Sequence, residues 1–192
     1  MKLFTIAFLI IFTSMAKGAL ASEQWQIMPE KSSVSFFSRS TFHDFKGQAH
    51  ELFGNFEKKN DQIRGAVDVG IIGMTTDNDA RDKEMYKMFD ATSYSQIHFS
   101  FNNVSISEVS QRKDGRISFT GNMTIHQISR PVTIISRGWM LGDALICEGE
   151  FPVSLKDYNL KPPTILGLIR VNDKVLVKFR ILFSQKEDIY AS

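Results

Sequence analysis

From Gly115 to Ile135 the chain reads GRISFTGNMTIHQISRPVTII. Ile117, Phe119, Gly121, Met123 and Ile125 fall on one face of an extended strand, and Ser118, Thr120, Asn122 and Thr124 on the other. This period-two alternation marks a half-buried antiparallel strand. His126 to Arg130 interrupts the pattern. Pro131 has no N–H for a ladder and is expected where the next strand starts, and Val132 and Ile134 then resume the apolar face. The segment predicts a hairpin with a five-residue polar connection.

The same alternation recurs along the chain. It predicts strands at Trp25–Ile27, Ser33–Phe36, Gln48–Phe56, Ile63–Gly73 and Ile97–Phe101, and again at Ala144–Val153 and Val175–Phe183. In the last of these Val175, Val177, Phe179, Ile181 and Phe183 share a face, with Lys178 and Arg180 opposite. Between the strands lie turn signals. Phe42–Gly47 (FHDFKG) reads as a bend, Lys58–Asp61 and Lys113–Gly115 as hairpin tips, Gly138–Gly142 as a turn, and Asp157–Pro163 as a loop. The period changes once. Thr75 to Asp79 supplies N-cap groups and a negative first turn, and Met85, Met88 and Phe89 follow at helical spacing. The pattern predicts a short helix over about Asn78–Phe89, with Asp82 and Glu84 pointing away from the apolar stripe.

About eight strands, one short helix and no alternation of strands with crossover helices predict an all-β domain. Closing an antiparallel sheet of that size into a β-barrel removes its edges and leaves an elongated apolar interior, filled by side chains or holding one small ligand. No composition break divides the chain, so residues 22–192 are expected to form one domain. Residues 1–21 differ. Lys2, the apolar run Leu3–Phe12 and the small-x-small site Ala19-Leu20-Ala21 predict a signal peptide, too short in its apolar part to span a bilayer. The protein is then exported, periplasmic or secreted, with no stable membrane insertion after cleavage.

Charge narrows the partners. Of 192 residues, 23 are Lys or Arg and 21 are Asp or Glu. Removing Lys2 and Lys17 with the leader balances the two, and an uncharged domain lacks the basic footprint of a nucleic-acid binder. The single cysteine, Cys147, gives no internal disulfide. It lies in an alternating strand, as a small buried hydrophobe, a nucleophile or an intermolecular partner.

Chemistry-bearing motifs are scarce. His43, His50, His98 and His126 show no HxH, HExxH or Cys–His spacing for a metal. His43-Asp44 has no Gly-x-Ser-x-Gly nucleophile elbow to serve. No phosphate loop or dinucleotide fingerprint occurs, so neither a cofactor nor catalysis is expected. Phenylalanine is abundant, 16 residues against two Trp and four Tyr. The apolar faces nominate Phe36, Phe99, Phe101, Phe119, Val177, Phe179 and Ile181, with Met123 and the helix residues Met85 and Met88. These are either ordinary core or the wall of a tunnel, for which pliable Met is well suited.

Taken in order, several segments resemble the YceI-like family of exported lipid- or polyisoprenoid-binding proteins. They are Trp25–Phe36 (WQIMPEKSSVSF), His43–Gly47 (similar to a His-Asp-Phe variant branch), and Met74-Thr75-Thr76 with Ala80-Arg81-Asp82. Phe89-Asp90, Tyr94–Phe99, Phe119–His126 and Arg130-Pro131-Val132 follow. Ser95 stands where the family usually has Pro, and Gln127-Ile128 where it has Gly-Val. The resemblance covers about Trp25 to Phe183. It implies a lipocalin-like barrel whose tunnel takes a long apolar chain, a polyisoprenoid or fatty-acyl lipid, in a non-catalytic carrier or sequestering role. Arg81 and Arg130 lie within the matched motifs as head-group candidates, or as structural side chains fixing helix and hairpin. The alternative is a structural or stress-response interaction module with a filled core and no lipid, whose protein partners the sequence does not identify.

Overall fold

The computed structural model describes residues 22–40, 44–105, 115–162, 164–165 and 169–185. The predicted leader 1–21, His43, the tip residues Lys113 and Asp114, Pro163 and the tail 186–192 lie outside the described residues. Thirteen strands are described: β1 Glu23–Ile27, β2 Ser33–Arg39, β3 Asp44–Ala49, β4 Leu52–Lys59, β5 Gln62–Gly70, β6 Met74–Thr75, β7 Gln96–Ser105, β8 Arg116–Ile125, β9 Ile128–Leu141, β10 Ala144–Ser154, β11 Thr164–Ile165, β12 Ile169–Arg170 and β13 Lys174–Gln185. One helix, α1, spans Asp79–Phe89.

Eight strands close a ring in the order β1-β4-β5-β7-β8-β9-β10-β13, and β13 returns to β1. Every pairing is antiparallel. β13 is the seam. Along one edge it pairs β10 from Ala144↔Ser184 to Ser154↔Lys174. Along the other it pairs β1 (Trp25↔Gln185) and then β2 (Phe37↔Leu176). β1 and β2 are thus one long strand broken by a 3-10 turn at Pro29–Lys31, where Pro29 supplies no ladder donor. β3 with β4, and β5 with β6, break at the same level. The three halves β2-β3-β6 extend the wall beyond the ring.

Several boundaries differ from the sequence expectation, each for a local reason. The β8–β9 hairpin turns on His126-Gln127 alone. His126 takes φ 59°, so a two-residue turn suffices and Ile128 already pairs Ile125. Pro131 is the fourth residue of β9. It is tolerated because β9 meets β10 only from Ser136 onward, leaving its other edge unpaired there. Gly138 stays in the strand, and the turn falls at Gly142-Asp143 with Gly142 at φ 59°. Asp44 to Gly47 is strand, paired Arg39↔Asp44 to Phe36↔Gly47, because the ring of Phe36 covers Gly47. The break falls instead at His50-Glu51, ahead of β4.

α1 closes one end of the barrel. Asn78 caps it, its side chain accepting from the Arg81 N–H (2.9 Å), and Asp90 ends it in the left-handed conformation at φ 47°. Met85 and Phe89 are buried, and Asp82 is buried beside them instead of pointing away. Its carboxylate accepts both the Thr76 N–H (2.9 Å) and the Thr76 hydroxyl (2.5 Å). That pair ties the helix to the loop before it, and Tyr86 adds an O–H contact to the Met74 carbonyl (2.7 Å).

Opposite α1 the wall is aromatic. Trp25 stacks on Phe56 (5.4 Å between centroids) and Phe56 meets Phe183 edge-on at 5.0 Å. The outer surface carries cross-strand ion pairs such as Lys178–Glu150 and Arg64–Glu57.

Candidate functional site: an apolar cavity with one polar end

The inward faces of the ring enclose a cavity of about 240 Å³, counted as the space that the centre of a water molecule can reach. The ladder registers order its wall. At the α1 end lie Ser38, Thr76, Arg81, Val153 and Leu155, and at the far end Ile63, Ile117 and Leu145. Between them runs an aromatic rib. Phe99 and Phe101 are 5.9 Å apart on β7, and Phe101 meets Phe119 of β8 edge-on at 4.9 Å. Phe179 and Phe151 form a second pair across β13 and β10, 6.2 Å apart.

All ten apolar residues nominated from the sequence, Phe36, Met85, Met88, Phe99, Phe101, Phe119, Met123, Val177, Phe179 and Ile181, are brought to this one wall. Period-two reading finds them because the strand faces are regular, and α1 adds its stripe from the end.

The two arginines part company. Arg81 lines the cavity, its guanidinium 4.7 Å from the centre of the Phe45 ring. Arg130 is exposed, donates Nε–H to the Asp157 carbonyl (3.1 Å), and forms no part of the wall. It fixes the 3-10 turn Leu155–Tyr158 against β9.

Sequence reading missed two wall residues of interest, Ser38 and Phe45, and read a third, Cys147, as a small buried hydrophobe without placing it in the wall. Ser38 continues the inward parity of Val34 and Phe36 one step past the predicted end of that strand. The residue is 6% exposed, and its hydroxyl is buried with no hydrogen-bond partner among the described residues. Phe45, its ladder partner, was assigned to a bend. Cys147 is buried in the wall opposite Ile181. Burial pushes its thiol up to about 12, so at neutral pH it is a protonated small apolar group.

The three described histidines do not converge. His98 Nδ1 meets Asp68 Oδ1 at 2.6 Å on the outer face, His50 Nε2 meets the Thr75 hydroxyl at 3.0 Å, and His126 packs against Tyr94 in the turn. Among the described residues no cluster of three or more His, Cys, Asp or Glu is placed to hold a metal. No described helix is long and apolar enough to cross a membrane.

Solved structures with this architecture include Burkholderia cenocepacia BcnA (TM-score 0.69, 16% identity, covering 81% of this chain and 98% of that one). A polyisoprenoid binding domain from Saccharophagus degradans, implicated in plant cell wall breakdown, superposes with TM-score 0.70 at 14% identity, covering 84% and 98%. The Campylobacter jejuni YCEI protein gives 0.58 at 14% identity, covering 75% and 86%. At these identities the likeness is one of fold. Among curated proteins no sequence matches significantly. The sequence does match the YceI-like domain over residues 25–183, nearly the whole described barrel, and the chain therefore belongs to the YceI-like family.

Proposed function

We propose that this protein binds a single long apolar chain, of polyisoprenoid or fatty-acyl type, and carries or sequesters it without making or breaking a bond. The observation that carries the reading is the cavity itself. It runs from α1 to the far end of the barrel, its wall is apolar along almost its whole length, and its few polar groups are gathered at one end. A filled-core module has no use for such a space. At about 0.8 kcal/mol per buried methylene, roughly ten methylenes contribute a gross 8 kcal/mol, enough for micromolar binding after modest ordering losses. The name of the S. degradans domain and the family membership point the same way. The one thiol in the wall is protonated at neutral pH and a poor nucleophile, which suits a binder. The predicted leader makes the site of action an exported one, periplasmic or secreted.

Native mass spectrometry of the purified protein, followed by organic extraction and lipid analysis, tests this. A discrete added mass that extracts as an isoprenoid or acyl lipid is expected. An apo mass that stays unchanged after incubation with such lipids overturns the proposal.

A further inference from the structure

We infer that the α1 end of the cavity is an oxyanion site, and that the ligand carries a phosphate or carboxylate head held by Arg81 and Ser38 with its chain running toward Leu145. The inference rests on the binding reading above and names the ligand's head chemistry and its direction.

Two independent observations carry it. The first is Ser38. A hydroxyl this deeply buried ordinarily has a partner, because leaving one unpaired costs ~1–3 kcal/mol. Among the described residues Ser38 has none, and the residue lies in the cavity wall. The second is Arg81. Its guanidinium lies over the Phe45 ring, and Phe45 is the direct ladder partner of Ser38. The cation and the unpaired hydroxyl therefore both neighbour Phe45 on the same patch of wall. The contact with the Phe45 ring consumes no N–H donor in an ion pair, and a guanidinium with unpaired donors suits bidentate contact with an oxyanion.

The neighbouring acids do not consume this charge. Among the described residues no carboxylate is paired with Arg81. Asp82, next to it in sequence, has its Oδ1 committed to the Thr76 N–H and hydroxyl. Asp79, on the same turn of the helix, is exposed. Among the described residues the opposite end puts no polar or charged side chain in the cavity wall; Trp25 Nε1 and Ser136 Oγ, also buried without a described partner, lie near that end but outside the wall. Ile63, Ile117 and Leu145 line it, so a charged head there would be desolvated without a partner. One end of the cavity thus accepts a charge and the other rejects it, which fixes the direction of insertion.

The test uses three soluble ligands of one chain length, dodecyl phosphate, dodecanoate and dodecanol, titrated below their aggregation concentrations by calorimetry. The phosphate or the carboxylate is expected to bind the wild-type protein at least tenfold tighter than the alcohol, and whichever is the tighter identifies the head class. Arg81→Gln should bring the charged ligands close to the level of dodecanol while changing dodecanol far less. Arg81→Lys should restore part of the difference. Ser38→Ala, a smaller change in a strand that keeps its register, should weaken the charged ligands three- to tenfold. Equal affinity for all three heads in the wild-type protein, or an Arg81→Gln loss shared equally by dodecanol, overturns the oxyanion site and leaves chain binding standing. Failure of all three ligands to bind overturns the chain-binding reading and this inference with it.

Discussion

β13 serves as a ruler for the cavity, and a single substitution can shorten what it measures. Val175 faces Val153 at the polar end, Ile181 faces Cys147, and Phe183 faces Leu145. The six residue steps from Val175 to Ile181 span about 20 Å along the strand, or ~15 Å along the barrel axis at a strand tilt of ~40°. Two more residues add about 5 Å of axial depth at most. An extended carbon chain advances ~1.3 Å per carbon, from its ~1.5 Å bonds, so ~12 carbons reach Cys147 and ~16 reach the end. Cys147→Phe places a ring across the cavity at the Ile181 level and excludes the last ~4 methylenes, about 3 kcal/mol or roughly 200-fold in Kd. The assay is displacement of a fluorescent lipid probe by alkyl ligands of increasing length. In the wild-type protein Kd should fall about fourfold per added methylene until the cavity is full. In Cys147→Phe the fall should stop earlier, with hexadecyl ligands losing the full factor and decyl ligands nothing. A loss equal at both lengths, or wild-type affinity indifferent to length, refutes the axial cavity. Thermal unfolding of the variant within a few degrees of wild type secures the comparison.

Three further outcomes are expected. Gly47→Ala places a Cβ about 2.0 Å from the Phe36 ring, which must swing into the cavity. The expected cost is ~1–3 kcal/mol in chemical denaturation, with reduced ligand capacity, and an unchanged denaturation midpoint counts against this packing. Asp82→Ala removes the one acceptor of both Thr76 hydrogen bonds and strands a buried N–H, for a loss of ~2–4 kcal/mol. A smaller loss from Asp79→Ala, read in the same denaturation series, separates the anchor from general helix charge. Cys147 should be nearly inert to iodoacetamide at pH 8. With the thiol pushed up from 9.0 to about 12, its thiolate is roughly a thousandfold scarcer than in the unfolded chain. The folded state keeps that proton while the unfolded chain gives it up, so stability should decline as pH rises from 9.0 toward about 12. Rapid labelling at pH 8 without unfolding contradicts the burial.

The barrel was legible in the sequence because its strands are long and one-sided. β8 and β13 show five-position alternation, and their apolar faces are the cavity wall. What period two does not reveal is where a strand bends. His50-Glu51 and Pro29–Lys31 divide long strands at one level, where the ring passes into β2-β3-β6. Turn chemistry misled where a positive-φ residue made a tighter connection, at His126 and at Gly142. Asp82 was read as outward because charge ordinarily is. Its burial depends on Thr76, six residues away, a pairing with no helical or strand period to announce it. Ser38 was legible in principle, since it has the parity of Val34 and Phe36. A lone serine at a strand end carries no sign that its hydroxyl lacks a partner.

The seam at β13 also sets how this molecule comes together in time. Trp25 finds its ladder partner at Gln185 and Val34 at Phe179, and the Ser32 hydroxyl accepts the Leu182 N–H across 150 positions of chain. Such distant pairings must meet the entropy of closing a very long loop before any reward arrives, and they slow folding. Until β13 docks, β1, β2 and β10 each present an unpaired edge next to an exposed greasy interior. The chain is then at its most vulnerable to association with its own kind.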